Sequence, residues 1–181
     1  MAPNIKTARL TLRPLDKAEV GPPYVSWLND PEVSRFLESR FRKHDLASTR
    51  EFVRGAAADP ACILFGMFFG PESRHIGNIK LSCISGEHHR ATIGLMVGEK
   101  SMWGRGLATE SIVAVTRFAF GELGLKKLDA GGYASNEASR RAFLKAGWRE
   151  EACLRSHVLC DGRREDQWLV GVIPDDLDGH S

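Results

Sequence analysis

The feature that most constrains this chain is a glycine-containing loop set between an apolar strand and a periodic helix. Ala91 to Val97 reads as the strand, and Trp103-Gly104-Arg105-Gly106-Leu107-Ala108 follows it. From Ala108 to Leu123, Ile112, Val115, Ala119 and Leu123 then recur at helical spacing, leaving Thr109, Glu110, Thr116 and Arg117 for the wet side. Strand, loop and helix in this order aim unpaired N–H groups and the positive end of the helix dipole at one place, which suits a phosphate. Taken alone, the two glycines also read as a tight turn into the helix. A P-loop would need Gly-Lys-Ser/Thr where Gly106-Leu107-Ala108 stands, and that reading fails. A dinucleotide fingerprint would want a small residue at Thr109 and an acid near Asp129, behind a different scaffold from the one upstream.

That scaffold is a meander. Leu10 to Leu15 alternates as a half-buried first strand closed by Pro14, and a helical stretch interrupted by Gly21-Pro22-Pro23 leads to a second short helix around Ser48 to Ala58. Ile63–Phe69, Ile76–Ile84 and Ala91–Val97 read as three strands with short connections, hence antiparallel. Lys127–Tyr133 is a fifth strand reached through the helix, so it lies parallel to or splayed from the fourth. Asn136 to Ala146 is a helix capped by Asn136 and stopped by Gly147, and Arg155–Cys160 with Gln167–Val172 forms a hairpin around Asp161-Gly162. The fold class is α+β: a mixed, mostly antiparallel central sheet of six to seven strands, flanked by helices and splayed at the fourth and fifth. A single domain is expected over residues 1–174, with 175–181 as a flexible polar tail.

Twenty-five basic against 23 acidic residues, a formal charge of +2, are scattered along the 181-residue chain, which argues against nucleic acid as a partner. The longest apolar run, Ala61 to Phe69, is far short of a membrane span, and Met1 to Leu10 lacks a signal-peptide core. Cys62, Cys83, Cys153 and Cys160 include no Cys-x-x-Cys pair and read as reduced, which places the chain in the cytoplasm. The adjacent His88-His89 lack spaced partners, so no metal site is expected.

Several segments together are similar to the GNAT superfamily of N-acetyltransferases, nearest the RimJ/RimL type. They are Ile93-Gly94 through Val97, Trp103 to Glu110, Asn136-Glu137-Ala138-Ser139 and Phe143-Leu144-Lys145-Ala146-Gly147-Trp148. The opening Thr7 to Leu15 and Trp27-Leu28-Asn29-Asp30-Pro31 also fit, so the resemblance covers nearly the whole chain. It implies a GNAT-like domain that uses acetyl-CoA as co-substrate. Leu95, Met96 and Val97 would meet the pantetheine amides with free backbone groups, and Trp103, Gly104, Arg105, Gly106, Leu107, Ala108 and Thr109 would cradle the pyrophosphate. Asn136 would bond the pantetheine arm or cap its helix, Ser139 would do either, and Phe143 would pack beside the thioester.

Acetyl transfer to an amine needs a neutral amine, a stabilised oxyanion and a proton for the thiolate. An N–H near Met96 or Val97 is the expected oxyanion donor. Many family members carry a Tyr as the acid where this chain has Phe143, and a carboxylate as base where it has Thr92. Tyr133 and Ser135 are then candidate acids; Glu87, His88, Asp166 and Glu38 are candidate bases, with Asp166 favoured. The acceptor site is expected among Trp27, Asn29, Arg35, Glu38, Arg40 and Phe41. The resemblance leaves the acceptor open between a protein N-terminus, a small amine and an amino sugar of surface-polysaccharide synthesis. A non-catalytic acyl-CoA-binding module is also compatible, and a homodimer is not readable from the residues.

Overall fold

The computed structural model describes residues 2–178. Eight strands form one sheet: β1 (Ile5–Lys6), β2 (Leu10–Pro14), β3 (Ile63–Phe69), β4 (Arg74–Ser85), β5 (Arg90–Val97), β6 (Lys127–Tyr133), β7 (Arg149–Cys160) and β8 (Arg163–Val172). Their order is β1-β2-β3-β4-β5-β6-β8-β7, and every neighbouring pair is antiparallel except β5–β6. The extra strand is β1, two residues paired to β2 and too short to show a period.

Helices cover both faces. Phe65 and Met67 of β3 pack with Ile112, Val115 and Phe118 of α4 (Leu107–Gly121) and with Ala142 and Phe143 of α5 (Glu137–Lys145) in one core. Leu64 and Phe68 turn the other way, onto Tyr24, Trp27 and Leu28 of α1 (Pro22–Asn29) and Val53 of α3 (Leu46–Ala58). The continuous apolar run of β3 is thus the signature of a strand buried on both sides.

Gly21-Pro22-Pro23 does not interrupt a helix but begins one: Gly21 is the N-cap of α1 and the prolines fill its first turn, where a missing N–H costs nothing. Asp30-Pro31 repeats the device for α2 (Pro31–Ser34), with the Asp30 carboxylate accepting from the N–H groups of Glu32 and Val33. Asp161 (φ 49°) and Gly162 (φ 77°) both take the left-handed conformation that a two-residue hairpin turn needs. The stretch expected as a tail is helical where described: α6 (Pro174–Asp178) packs Leu177 on the core, and Asp176 pairs with Arg149 at 2.8 Å. Residues 179–181 lie outside the described residues.

The parallel pair is what opens a site. β5 and β6 are in register only at Arg90–Lys127, Ala91–Leu128 and Thr92–Asp129. The Thr92 hydroxyl donates to Asp129 Oδ1 at 2.7 Å on the last rung, and beyond it the strands diverge.

Candidate acetyl-donor and amine-acceptor site

Between β5 and α4 the chain passes through Gly104 (φ 71°) and Gly106 (φ 77°), conformations that an L side chain would strain. Gly106 is the N-cap of the 15-residue α4. Among the described residues, the six consecutive backbone N–H groups from Gly104 to Thr109 meet no protein acceptor. The loop is exposed, and its N–H groups and the helix dipole put positive partial charge at one place on the surface.

Contacts from the turn joining β1 to β2 hold this loop. The Glu110 carboxylate accepts from the Thr7 hydroxyl, the Arg9 N–H and Arg9 Nε, while Arg9 Nη1 donates to the Arg105 carbonyl at 2.8 Å. Burial alone would raise the Glu110 pKa, but these donors outweigh it and hold the carboxyl below its ordinary value. The indole of Trp103 donates to Val97 O at 2.7 Å, fastening the loop to the end of β5. Arg105, expected at the pyrophosphate, instead reaches Met102 Sδ at 3.1 Å and stacks over Phe69. Its position is held through its carbonyl as much as its charge.

The strand edge can be assigned group by group. Gly98 N–H donates to Ile76 O at 2.9 Å, and antiparallel alternation then turns Met96 and Gly94 toward β4. Leu95 and Val97 therefore present their backbone groups to the gap, and of these Val97 O already accepts from Trp103. Met96, expected to face the gap, contributes its side chain to the opposite face. Across the gap, Asn136 caps α5 by accepting from Ser139 N–H at 3.4 Å, and its Nδ2 donates to no protein group among the described residues. Phe143 is 2% exposed, packed edge-on to Trp148 at 4.8 Å and tilted against Trp168, so its ring belongs to the core.

A cavity of about 640 Å³ opens on the α1/α3 face, floored by Asn78 and Lys80 of β4 and Gly94 and Met96 of β5. Glu38 lines its rim, and of the four candidate bases it alone does so. Its carboxylate accepts the hydroxyl proton of Tyr133, which in turn accepts from Arg40 Nη1 at 2.8 Å. Burial, helped by Glu38, raises the Tyr133 pKa, so the phenol keeps its proton at neutral pH. Asp166 is engaged elsewhere: its Oδ1 accepts from Ser156 N–H at 2.8 Å, and Cys153 Sγ lies 3.6 Å from its Oδ2, across an irregularity in β7. Ser135 donates to Glu165, while Glu87 and His88 sit in the β4–β5 turn, at the closed end of the gap.

Of the expected acceptor residues, Glu38 and Arg40 come together at Tyr133. Trp27 is buried against His75 and Gly98, and Asn29 clips the following loop by donating to His44 O and accepting from His44 N–H. Arg35 pairs with Asp161, and Phe41 is 65% exposed beneath the Arg40 guanidinium. Asn78 and His75 were not singled out by sequence; a polar residue at an inward position of an apolar strand was the available signal.

The profile of the acetyltransferase (GNAT) domain family matches residues 9–149. The chain is 28% identical over 175 residues to the uncharacterized N-acetyltransferase YoaA of Bacillus subtilis, covering 96% of this chain and 98% of that protein. It is 35% identical to the probable N-acetyltransferase YjcK of the same organism over 114 residues, 62% of each chain. Its fold is similar to RimL, a ribosomal L7/L12 α-N-protein acetyltransferase solved with coenzyme A, at a TM-score of 0.84 and 18% identity over 96% of this chain and 99% of that one. It is also similar to the spermidine N-acetyltransferase of Vibrio cholerae solved with CoA and spermine, at a TM-score of 0.82 and 19% identity over 94% and 98%. Among the described residues no helix is long and apolar enough to cross a membrane.

Proposed function

From the premise that this chain belongs to the GNAT acetyltransferase family and is an N-acetyltransferase, we propose that it moves an acetyl group from acetyl-CoA to a primary amine by direct attack in a ternary complex. The observation that carries this reading is the run of unpartnered N–H groups from Gly104 to Thr109, set beside the opening between β5 and β6. The residues present fit the group: the loop N–H groups hold the pyrophosphate, and Leu95 and Val97 offer backbone groups to the pantetheine amides. Asn136 Nδ2 faces the same arm across the gap, with Ser139 beside it. Acetyl-CoA supplies an acetyl carbon activated as a thioester.

The chain's own groups do the rest. Leu95 N–H is the oxyanion donor, leaving Leu95 O and Val97 N–H for the pantetheine amides; its direction into the gap follows from the β4–β5 pairing, and it lies farther along β5 from the pyrophosphate loop than Val97 does. The amine enters through the cavity on the α1/α3 face, as the N-terminus of a protein or as a small amine. Glu38 takes the ammonium proton there. Tyr133, protonated and bonded to Glu38, is the donor for the departing thiolate and recovers a proton from Glu38. Arg40 holds the phenol in place. Phe143 takes no part in proton transfer, being apolar and buried.

The test is calorimetric titration with acetyl-CoA together with thiol release over an amine panel. Wild type is expected to bind acetyl-CoA and release CoA with at least one amine, and Gly106→Pro to lose binding while staying folded by circular dichroism. Binding without CoA release on any amine would leave an acyl-CoA-binding module instead; undiminished binding by Gly106→Pro would remove the loop from the site.

A further inference from the structure

Asn78 Nδ2 stands apart from the other polar atoms of the protein. Asn78 is 5% exposed, and its Nδ2 is the one buried side-chain nitrogen or oxygen among the described residues with no hydrogen-bond partner. Native interiors rarely leave such a donor empty. The residue lies on the floor of the acceptor cavity, paired across the sheet with Met96.

The direction of that amide is set by His75. Its Nε2 lies 3.0 Å from Gly77 O and 2.9 Å from the Asn78 side chain. A carbonyl oxygen accepts only a donor, so Nε2 carries the proton, and the Asn78 atom facing it must be the oxygen. Nδ2 is thereby turned away from His75. The imidazole has no freedom to release it: Phe68 stacks on it at 5.0 Å, and Tyr24 and Trp27 meet it edge-on.

The charges around the same cavity are unequal. Arg42, Lys43 and Lys80 line it against a single carboxylate, Glu38. None of the three cations forms an ion pair among the described residues. A donor without a partner wants an acceptor oxygen, and unpaired cations want negative charge. A polyamine offers neither at neutral pH.

Resting on the N-acetyltransferase reading above, we infer that the acceptor is an anionic amine: a primary amine whose body carries carboxylate, with Asn78 Nδ2 bonded to one of its oxygens. Glu38 faces the amine end, while Arg42, Lys43 and Lys80 face the anionic end. A polycation is repelled by that end and leaves Asn78 unsatisfied, so discrimination works in both directions.

Initial rates of CoA release test this with three acceptors at low ionic strength: aspartate, a short acidic peptide with a free N-terminus, and spermidine. The inference expects kcat/KM for at least one of the two anionic amines to exceed that for spermidine by 100-fold or more; which one responds separates a free amino acid from a peptide. Asn78→Leu is expected to raise KM for that amine at least tenfold with the KM for acetyl-CoA unchanged. The exposed double variant Arg42→Glu/Lys43→Glu is expected to narrow or reverse the preference. Equal or faster turnover of spermidine would overturn the inference and leave the transferase reading standing. No turnover of any amine would count against transfer itself; calorimetry with the same three amines then decides, with anionic binding weakened tenfold by Asn78→Leu in support and no anionic binding against.

Discussion

The Tyr133 hydroxyl donates to the Glu38 carboxylate across 95 residues of sequence, joining the end of β6 to the 3-10 turn (Glu38–Phe41) that follows α2. Because Arg40 donates to the same phenol, the proton on Tyr133 has a fixed direction. Tyr133→Phe and Glu38→Gln are each expected to lower kcat at least about 100-fold, the lower edge of general acid–base effects, with little change in the KM for acetyl-CoA. Acting as a unit, the two losses should not multiply, so the double variant should fall little below the worse single one. Multiplying effects in steady-state thiol-release assays would show that the two residues work separately.

Gly106 caps α4 at φ 77° with open space around it, the nearest atom to an added Cβ being Arg9 Nη2 at 3.6 Å. Gly106→Ala therefore meets backbone strain rather than a clash, about 1–2 kcal/mol. Taken up by rotating the loop, that strain should weaken acetyl-CoA binding roughly tenfold, given about 1.4 kcal/mol per decade. Calorimetric titration reads this directly; an unchanged affinity would mean that these N–H groups do not hold the cofactor.

Phe143 stands where the family resemblance leads to the expectation of an acid, yet it lies between Trp148 and Trp168. Phe143→Tyr places a hydroxyl into this apolar core, costing about 1–3 kcal/mol if it finds no partner. The variant should unfold at a lower temperature and show no more than a few-fold gain in kcat. A gain of several orders of magnitude would mean that the missing acid limits the rate.

Burial lowers the His75 pKa below its ordinary 6.5, opposed in part by its bonds to Asn78 and Gly77 and by Glu19, and aided by Arg13. In the unfolded chain the ring recovers the ordinary value. As pH falls through about 6.5, the unfolded state takes up a proton that the folded state resists, so stability present above that pH is lost below it. Thermal melts should show Tm falling from pH 7 to pH 5, and less steeply in His75→Gln. Parallel slopes would assign the acid loss to other groups.

Much of the architecture was legible because its causes are local. The bounds of β3 and β6, the Asn136 cap of α5 and the Asp161-Gly162 turn follow from periods of two or 3.6 residues and from backbone angles that few residue types tolerate. The two-residue β1 left no period to read, and Gly21-Pro22-Pro23 looked like a break although proline suits the first turn of a helix. The glycine loop and the free N–H groups at the start of its helix could be located from residue order alone. What each side chain meets could not: Asp166 turned onto its own hairpin, Arg105 onto Phe69, and Phe143 into the core, while Glu38 reached Tyr133 and His75 fixed Asn78. By itself the sequence determined where the backbone bends and where its N–H groups are left free, because dihedral and hydrogen-bond constraints act between near neighbours in the chain. Only the tertiary structure decided which charges and donors share a cavity, because those partners are tens of residues apart and meet only when both faces of the sheet are packed.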